Sequence, residues 1–299
     1  MTKFAIGGIQ MHLGTQDNLA EMKRRLAILM HIYPWVEMVL FSELCHSGPN
    51  PASAQAAGGD YELACQELAR KYNIWLIPGS YYEKREGKLF NTSPVINPAG
   101  EIVTRYRKIF PFAPYETTTT PGDKIGIFDV PGVGRFGLSI CYDIWFPELT
   151  RSLVSEGVEV ILNPVMASFV DRHADLVIAQ ASAAMFQCYV FSINGLMAGG
   201  NGYSRVIDPA GQLLHTGSVN EELIPIEVDF DLVRRQRRQG LLNMGQPLKS
   251  YRDSTMRFPA YEKGYTSEFL DSLGPLEKAR RPDRSAPDRA APDRAAGGD

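Results

Sequence analysis

Val95-Ile-Asn-Pro-Ala-Gly-Glu-Ile-Val103 is echoed later in the chain by Val206-Ile-Asp-Pro-Ala-Gly-Gln-Leu-Leu214. In each copy two apolar runs flank an Asn/Asp-Pro-Ala-Gly turn. Proline presets one turn position and glycine supplies another, so each copy reads as a hairpin. Just upstream of each lies a further apolar run, Ile74-Trp-Leu-Ile-Pro78 and Tyr189-Val-Phe-Ser-Ile193. Before those runs come stretches with helical spacing, Tyr61 to Tyr72 and Ala174 to Cys188. Each half therefore reads as helix, strand, hairpin. Strands alternating with helices require sheets covered by helices. Two such halves packed sheet on sheet give an α/β fold, a four-layer αββα sandwich of two mixed sheets flanked by helices. A TIM barrel is the competing arrangement, and a two-copy echo built on hairpins argues against eightfold repetition.

Three strand ends carry groups that a plain core does not need. Phe136-Gly-Leu-Ser-Ile-Cys141 is followed at once by Tyr-Asp-Ile-Trp-Phe-Pro-Glu148, which places the Cys141 thiol where a buried strand gives way to a helix. Backbone N–H groups at such a junction favour a thiolate and can hold a developing oxyanion. Taken alone, a strand-end cysteine is more often inert core. Glu43 closes Val36-Glu-Met-Val-Leu-Phe-Ser-Glu43, a run bounded downstream by His-Ser-Gly-Pro-Asn-Pro. A carboxylate at the tip of a buried strand is costly unless partnered or working. In Ile102-Val-Thr-Arg-Tyr-Arg-Lys108, alternation sets Ile102, Thr104, Tyr106 and Lys108 on one face. The chain then enters an aromatic, proline-rich loop that carries Glu116. Singly, Lys108 and Glu116 read as solvated surface groups.

Jointly, these stretches resemble the nitrilase, or carbon–nitrogen hydrolase, superfamily, which uses a glutamate, a lysine and a cysteine at three strand ends in that chain order. The likeness covers roughly residues 3 to 260. It includes Phe4-Ala-Ile-Gly-Gly-Ile-Gln-Met11 as opening strand and Gly79-Ser, Phe90-Asn-Thr, Val95 to Gly100 and Tyr106-Arg-Lys108 as middle segment. Gly137-Leu-Ser-Ile-Cys-Tyr-Asp-Ile-Trp-Phe-Pro-Glu148 resembles the nucleophile block. Ser42 departs from the proline usual before the glutamate. The resemblance implies the same sandwich fold, with Glu43 as base, Lys108 as oxyanion holder and Cys141 as nucleophile. Glu116 matches the second glutamate of amidase-like members, which positions substrate and water. The implied chemistry is thiol-dependent hydrolysis through a thioester, with the Tyr142 backbone N–H as a second oxyanion donor. It needs no metal, nucleotide or organic cofactor. The resemblance also implies a homo-oligomer, a dimer or a multiple of dimers, and the segment Leu241 to Tyr261 suits its C-terminal arm.

True nitrilases of that family tend to carry Trp-Glu after the cysteine, whereas this chain has Tyr142-Asp143. Hydrolases of N-carbamoyl amino acids often place arginines where Ile144 and Trp145 stand, and a carboxylate without a guanidinium partner is poorly held. The expected substrate is a linear, neutral, partly apolar amide, cleaved to acid and ammonia. Tyr115, Tyr142, Trp145, Met166 and Phe169 are the expected pocket lining; Trp145 and Tyr115 serve equally well as core, and Met166 and Phe169 read more readily as core. Asn163-Pro-Val-Met-Ala-Ser168 follows a buried strand, Val158 to Leu162, and its loop is expected beside the nucleophile. An N-carbamoyl amide hydrolase is the alternative, then a nitrilase, then a silent binding protein.

The chain has 299 residues, 44% hydrophobic, with net charge −3. That balance makes no electrostatic case for nucleic acid or an anionic membrane. No apolar stretch approaches the ~20 residues that span a bilayer, and no basic-then-apolar leader opens the chain. Cys45, Cys65, Cys141 and Cys188 show no CxxC spacing, so a cytoplasmic protein with reduced thiols and no zinc site is expected. Asp231-Leu-Val-Arg-Arg-Gln-Arg-Arg238 reads as a helix start whose arginines pair with nearby carboxylates. From about residue 276 the composition becomes repetitive in Pro, Asp, Arg and Ala. Residues 1–265 are assigned to the hydrolase-like domain with its arm, and 266–299 to a tail expected to be disordered.

Overall fold

The computed structural model describes residues 1–168, 171–262 and 264–278. The first half runs β1 (Lys3–Gln10), β2 (His12–Leu13), α1 (Leu19–Ile32), β3 (Met38–Leu40), α2 (Asp60–Tyr72), β4 (Trp75–Ile77), β5 (Tyr81–Arg85), β6 (Lys88–Ile96) and β7 (Ile102–Arg107). The second runs β8 (Gly126–Val130), β9 (Gly134–Leu138), a 3-10 turn (Cys141–Trp145), α3 (Pro147–Ser155), β10 (Val160–Val165) and α4 (Arg172–Phe186). It continues through β11 (Tyr189–Asn194), β12 (Leu196–Met197), β13 (Gly200–Asn201), β14 (Arg205–Ile207) and β15 (Leu213–Thr216). Then come β16 (Glu222–Asp229), α5 (Phe230–Gln239), α6 (Pro247–Arg252) and α7 (Glu268–Ser272).

One sheet has the order β16-β1-β3-β4-β6-β5, with β7 also on β6, and the other β15-β14-β11-β10-β9-β8. In each, a parallel trio (β1, β3, β4 and β9, β10, β11) is flanked by antiparallel strands. The echoed hairpins are β6–β7 and β14–β15. Their pairing slips at matching places, between Val95 and Ile96 and between Val206 and Ile207. The strands form these two open sheets and a small third one of order β13-β12-β2, so the barrel alternative fails.

Alternation sorts β3 between two cores. Met38 and Leu40 of β3 join Phe136 and Leu138 of β9 between the sheets, while Val39 joins Leu26 and Leu29 of α1 and Cys65 and Leu68 of α2. Leu149 and Leu153 of α3 and Ala179 and Ala183 of α4 cover the second sheet. The order of layers is helix, sheet, sheet, helix. Met22, Leu26 and Leu29 form the buried stripe of α1 at helical spacing.

Several boundaries differ from expectation. β3 stops at Leu40, so Glu43 lies in the turn beyond it. There the Glu43 backbone N–H crosses to the second sheet and donates to the Val165 carbonyl at 3.2 Å. The expected helix at Cys141 is a single 3-10 turn. Pro147 disfavours a helical Phe146, which sits at φ −102°, ψ 101°, and α3 begins only beyond it. Arg234 pairs with Glu159 at 2.8 Å as expected, but Arg237 donates to the carbonyls of Gln187 and Val158 instead of a carboxylate. In the C-terminal region, α6 stacks Tyr251 on the Arg151 guanidinium at 4.1 Å. The single helical stretch α7 falls at the start of the assigned tail, and residues 279–299 lie outside the described residues.

Phe136 is fully buried, with ring neighbours Phe4, Phe128 and Phe230 at 5.2–5.7 Å. Phe136→Ala is expected to cost ~3–5 kcal/mol in urea denaturation through the cavity it leaves. A loss under 1 kcal/mol (about one deleted methylene) would contradict this packing.

Candidate active site

Strand alternation delivers Lys108. On β7, Arg105 and Arg107 face one way and pair with Glu62 and Glu83, each at 2.7 Å. Tyr106 and, one residue past the strand, Lys108 face the other way and are buried. The Lys108 Nζ donates to Glu43 Oε1 at 2.9 Å and Glu116 Oε2 at 2.7 Å. Burying an unpaired ammonium costs several kcal/mol, and two carboxylates at contact distance offset that cost. An ammonium has three N–H groups, so one remains for a further acceptor. Asn91 on β6 donates from Nδ2 to Glu43 Oε1 at 2.8 Å, and Phe112 N–H donates to Glu116 Oε2 at 2.5 Å.

Glu43 is held from behind by a close backbone approach. A Cβ on Gly79, whose φ is 73°, would lie 1.9 Å from the Ser42 carbonyl oxygen. Ser42, in the place of the usual proline, leaves its buried Oγ without a hydrogen-bond partner among the described residues. Burial raises the Glu43 carboxyl above the ordinary carboxylate range, against the opposing pull of Lys108. Lys108 is held well above its ordinary value by its carboxylate neighbours, which outweigh burial, so it stays charged.

Cys141 adopts φ 48°, a left-handed conformation that costs a side-chain-bearing residue about 1–3 kcal/mol. Its sulfur shares one cavity with Glu43, Lys108 and Met166. Burial pushes the thiol well above its ordinary value, Glu43 adds to this, and Lys108 opposes it. A five-residue 3-10 turn aligns few peptide dipoles, so the expected stabilisation of a thiolate at a helix start does not prevail. The thiol is neutral at rest and sits beside a carboxylate able to take its proton.

Glu43, Lys108, Glu116 and Cys141 line one cavity of about 660 Å³. Tyr142, Trp145 and Met166 line it too, and Tyr115, 61% exposed, lines it from the rim. Phe169 lies outside the described residues. Asn91 escaped the sequence reading as a site residue. Its signal was a lone amide in the strand-like stretch Leu89 to Val95, where a buried amide needs partners. Asp175 was also missed. It accepts Trp145 Nε1–H at 3.3 Å, pairs with buried Arg172 one helical turn earlier and lines the cavity. Among the described residues no group of three or more His, Cys, Asp or Glu could hold a metal, and no helix is long and apolar enough to cross a membrane.

The chain belongs to the carbon–nitrogen hydrolase family, whose profile matches residues 9–238, and is an amidase-like hydrolase of carbon–nitrogen bonds. It is similar to omega-amidase NIT2 of Homo sapiens, 27% identical over 261 residues that span 80% of this chain and 93% of the relative. Among solved structures it is similar to Saccharomyces cerevisiae Nit3, a member of branch 10 of the nitrilase superfamily. That match has TM-score 0.73 and 24% identity over 79% of this chain and 94% of that one. The amidase of Nesterenkonia sp. AN1 matches with TM-score 0.69 and 22% identity over 79% and 94% of the two chains. One mutant of that amidase has been seen with butyramide, and another with the acetamide moiety of fluoroacetamide added covalently at the active-site cysteine.

Lys108→Met leaves Glu43 buried without its cation, so its folded value climbs further above the unfolded one. Stability is then full below the unfolded carboxylate value and lost as pH rises through the folded one. Urea midpoints should show a loss of ~3–5 kcal/mol near pH 8 and a much smaller one near pH 5. Equal losses at both would contradict the assignment.

Proposed function

We propose that residues 1–265 form a thiol-dependent amidase that hydrolyses a linear, neutral, partly apolar amide to the acid and ammonia through a thioester on Cys141. The observation that carries this reading is the single cluster of Lys108 Nζ, two carboxylates and a thiol facing one cavity. Glu43 takes the proton from Sγ as the sulfur attacks the carbonyl carbon. The oxyanion is held by the free Lys108 N–H and the Tyr142 backbone N–H, each typically worth ~3–4 kcal/mol. Glu43 returns the proton to the departing nitrogen, and ammonia leaves. Water, deprotonated by Glu43 and oriented by Glu116, attacks the thioester; the acid departs and the thiol is restored. Each proton moves between groups in the cavity, so the route needs no metal or organic cofactor.

The neutral acyl group follows from the lining. The lysine is already committed to two carboxylates, and Arg172 is turned to Asp175, Ser192 and the Tyr203 carbonyl. Tyr115, Tyr142, Trp145 and Met166 offer apolar surface. Butyramide, bound by the Nesterenkonia enzyme, has this chemistry. Four free cysteines support a reducing, cytoplasmic setting, and exposed Leu242, Met244, Met256 and Phe258 in the C-terminal arm support a homo-oligomer.

Ammonia release from a panel of amides, N-carbamoyl compounds and nitriles tests the reading. Butyramide should be turned over, equally well with chelator present. Cys141→Ala and Cys141→Ser should abolish turnover, and Glu43→Gln should lose about 10²–10⁴-fold in kcat. Activity should rise as pH climbs through the raised Glu43 value. Carbon dioxide with ammonia from N-carbamoyl compounds, and none from amides, would move the reading to the carbamoyl alternative.

A further inference from the structure

Asp143 lies two residues past Cys141 and takes no proton in the steps above. It is fully buried, yet both carboxylate oxygens are engaged. Oδ2 accepts the Tyr106 hydroxyl at 2.7 Å and the Ile140 N–H at 2.9 Å, and Oδ1 accepts the Phe110 N–H at 2.8 Å. Tyr106 and Phe110 lie two residues either side of Lys108, and Ile140 immediately precedes Cys141. One carboxylate thus grips both flanks of the lysine and the entry to the nucleophile turn. β7 belongs to one sheet and β9 to the other, and no strand pairing joins them.

We infer that Asp143 is a positioning residue that clamps the Lys108 segment to the Cys141 turn across the two sheets, fixing the distance from sulfur to ammonium. This rests on the roles proposed for Lys108 and Cys141. The clamp holds Cys141 in its left-handed conformation, because Ile140 N–H is anchored on the residue before and Asp143 on the turn after. It needs the ionised carboxylate, since a protonated oxygen no longer receives a full set of donors. Burial raises Asp143 to about 6, while Tyr106, the Ile140 N–H, Lys108 and the Phe110 N–H hold it down. The titratable groups facing it are Tyr106 and Lys108, both from the β7 end. The clamp is therefore lost as pH falls through the Asp143 value.

Two variants test this by the pH profile of kcat and by the rate at which iodoacetamide alkylates Cys141. Tyr106→Phe keeps the ring and removes one donor to the carboxylate, so Asp143 should titrate higher; the ratio of variant to wild-type rate, in which the Glu43 limb common to both enzymes cancels, should fall as pH drops below about 7 in both profiles. The Tyr106 hydroxyl bonds Asp143 and not Glu43. Asp143→Asn sets an amide N–H against the Ile140 N–H; kcat on butyramide should fall about 10–100-fold with KM changed far less. The alkylation rate should fall with kcat. A variant-to-wild-type ratio that does not change with pH in a folded Tyr106→Phe would overturn the inference, whether or not Asp143→Asn folds. Alkylation needs no substrate, so it judges the clamp independently; failure of wild-type enzyme to turn over butyramide would instead strike the amidase reading.

Discussion

Taking the Lys108 ammonium out of water costs several kcal/mol, and Glu43 at 2.9 Å and Glu116 at 2.7 Å offset that cost. The rest of the site follows from this contact. Two of the three N–H groups are committed to carboxylates, which points the third at the cavity. Because the lysine keeps its charge, the Cys141 thiol meets a cation on one side and a raised carboxylate on the other. In the proposed route the resting pair is thiol and carboxylate, and the thiolate forms only as a carbonyl arrives to consume it.

The duplicated fold is what brings the groups together. Each half supplies a parallel trio and a hairpin, and stacking the two sheets sets the ends of β3, β7, β9 and β10 around one cavity. Chain crossings there tie the layers. The Glu43 N–H reaches the Val165 carbonyl, and the Asp143 carboxylate reaches Tyr106 and Phe110. They act beside the β2–β12 pairing and the Gln10–Ser204 bonds, and they matter at the site because side-chain packing fixes volume better than it fixes a distance between two functional atoms.

Local physics made much of this legible from residues alone. Pro-Ala-Gly turns marked both hairpins, helical spacing marked α2 and α4, and alternation along β7 put Tyr106 and Lys108 on the inner face. What escaped depends on long-range approach. Glu43 sits past its strand because its backbone N–H turns to the Val165 carbonyl of the other sheet. Cys141 starts a 3-10 turn instead of a helix because of Pro147, and Asn91 and Asp143 acquire roles only from donors and acceptors far away in sequence. The balance at Glu43 likewise turned on burial, which no spacing reveals. Glu43, Lys108, Cys141 and Glu116 were nameable because family resemblance added chain order to weak local signals.

The central claim is that the acyl group passes through the sulfur of Cys141. Rapid mixing of enzyme with butyramide, acid quenching within the first turnover and mass measurement of the Cys141 peptide tests it most directly. The account predicts a transient butyryl increment on that peptide, appearing with the first equivalent of ammonia. Ammonia release with the Cys141 peptide unmodified at every quench time would contradict it.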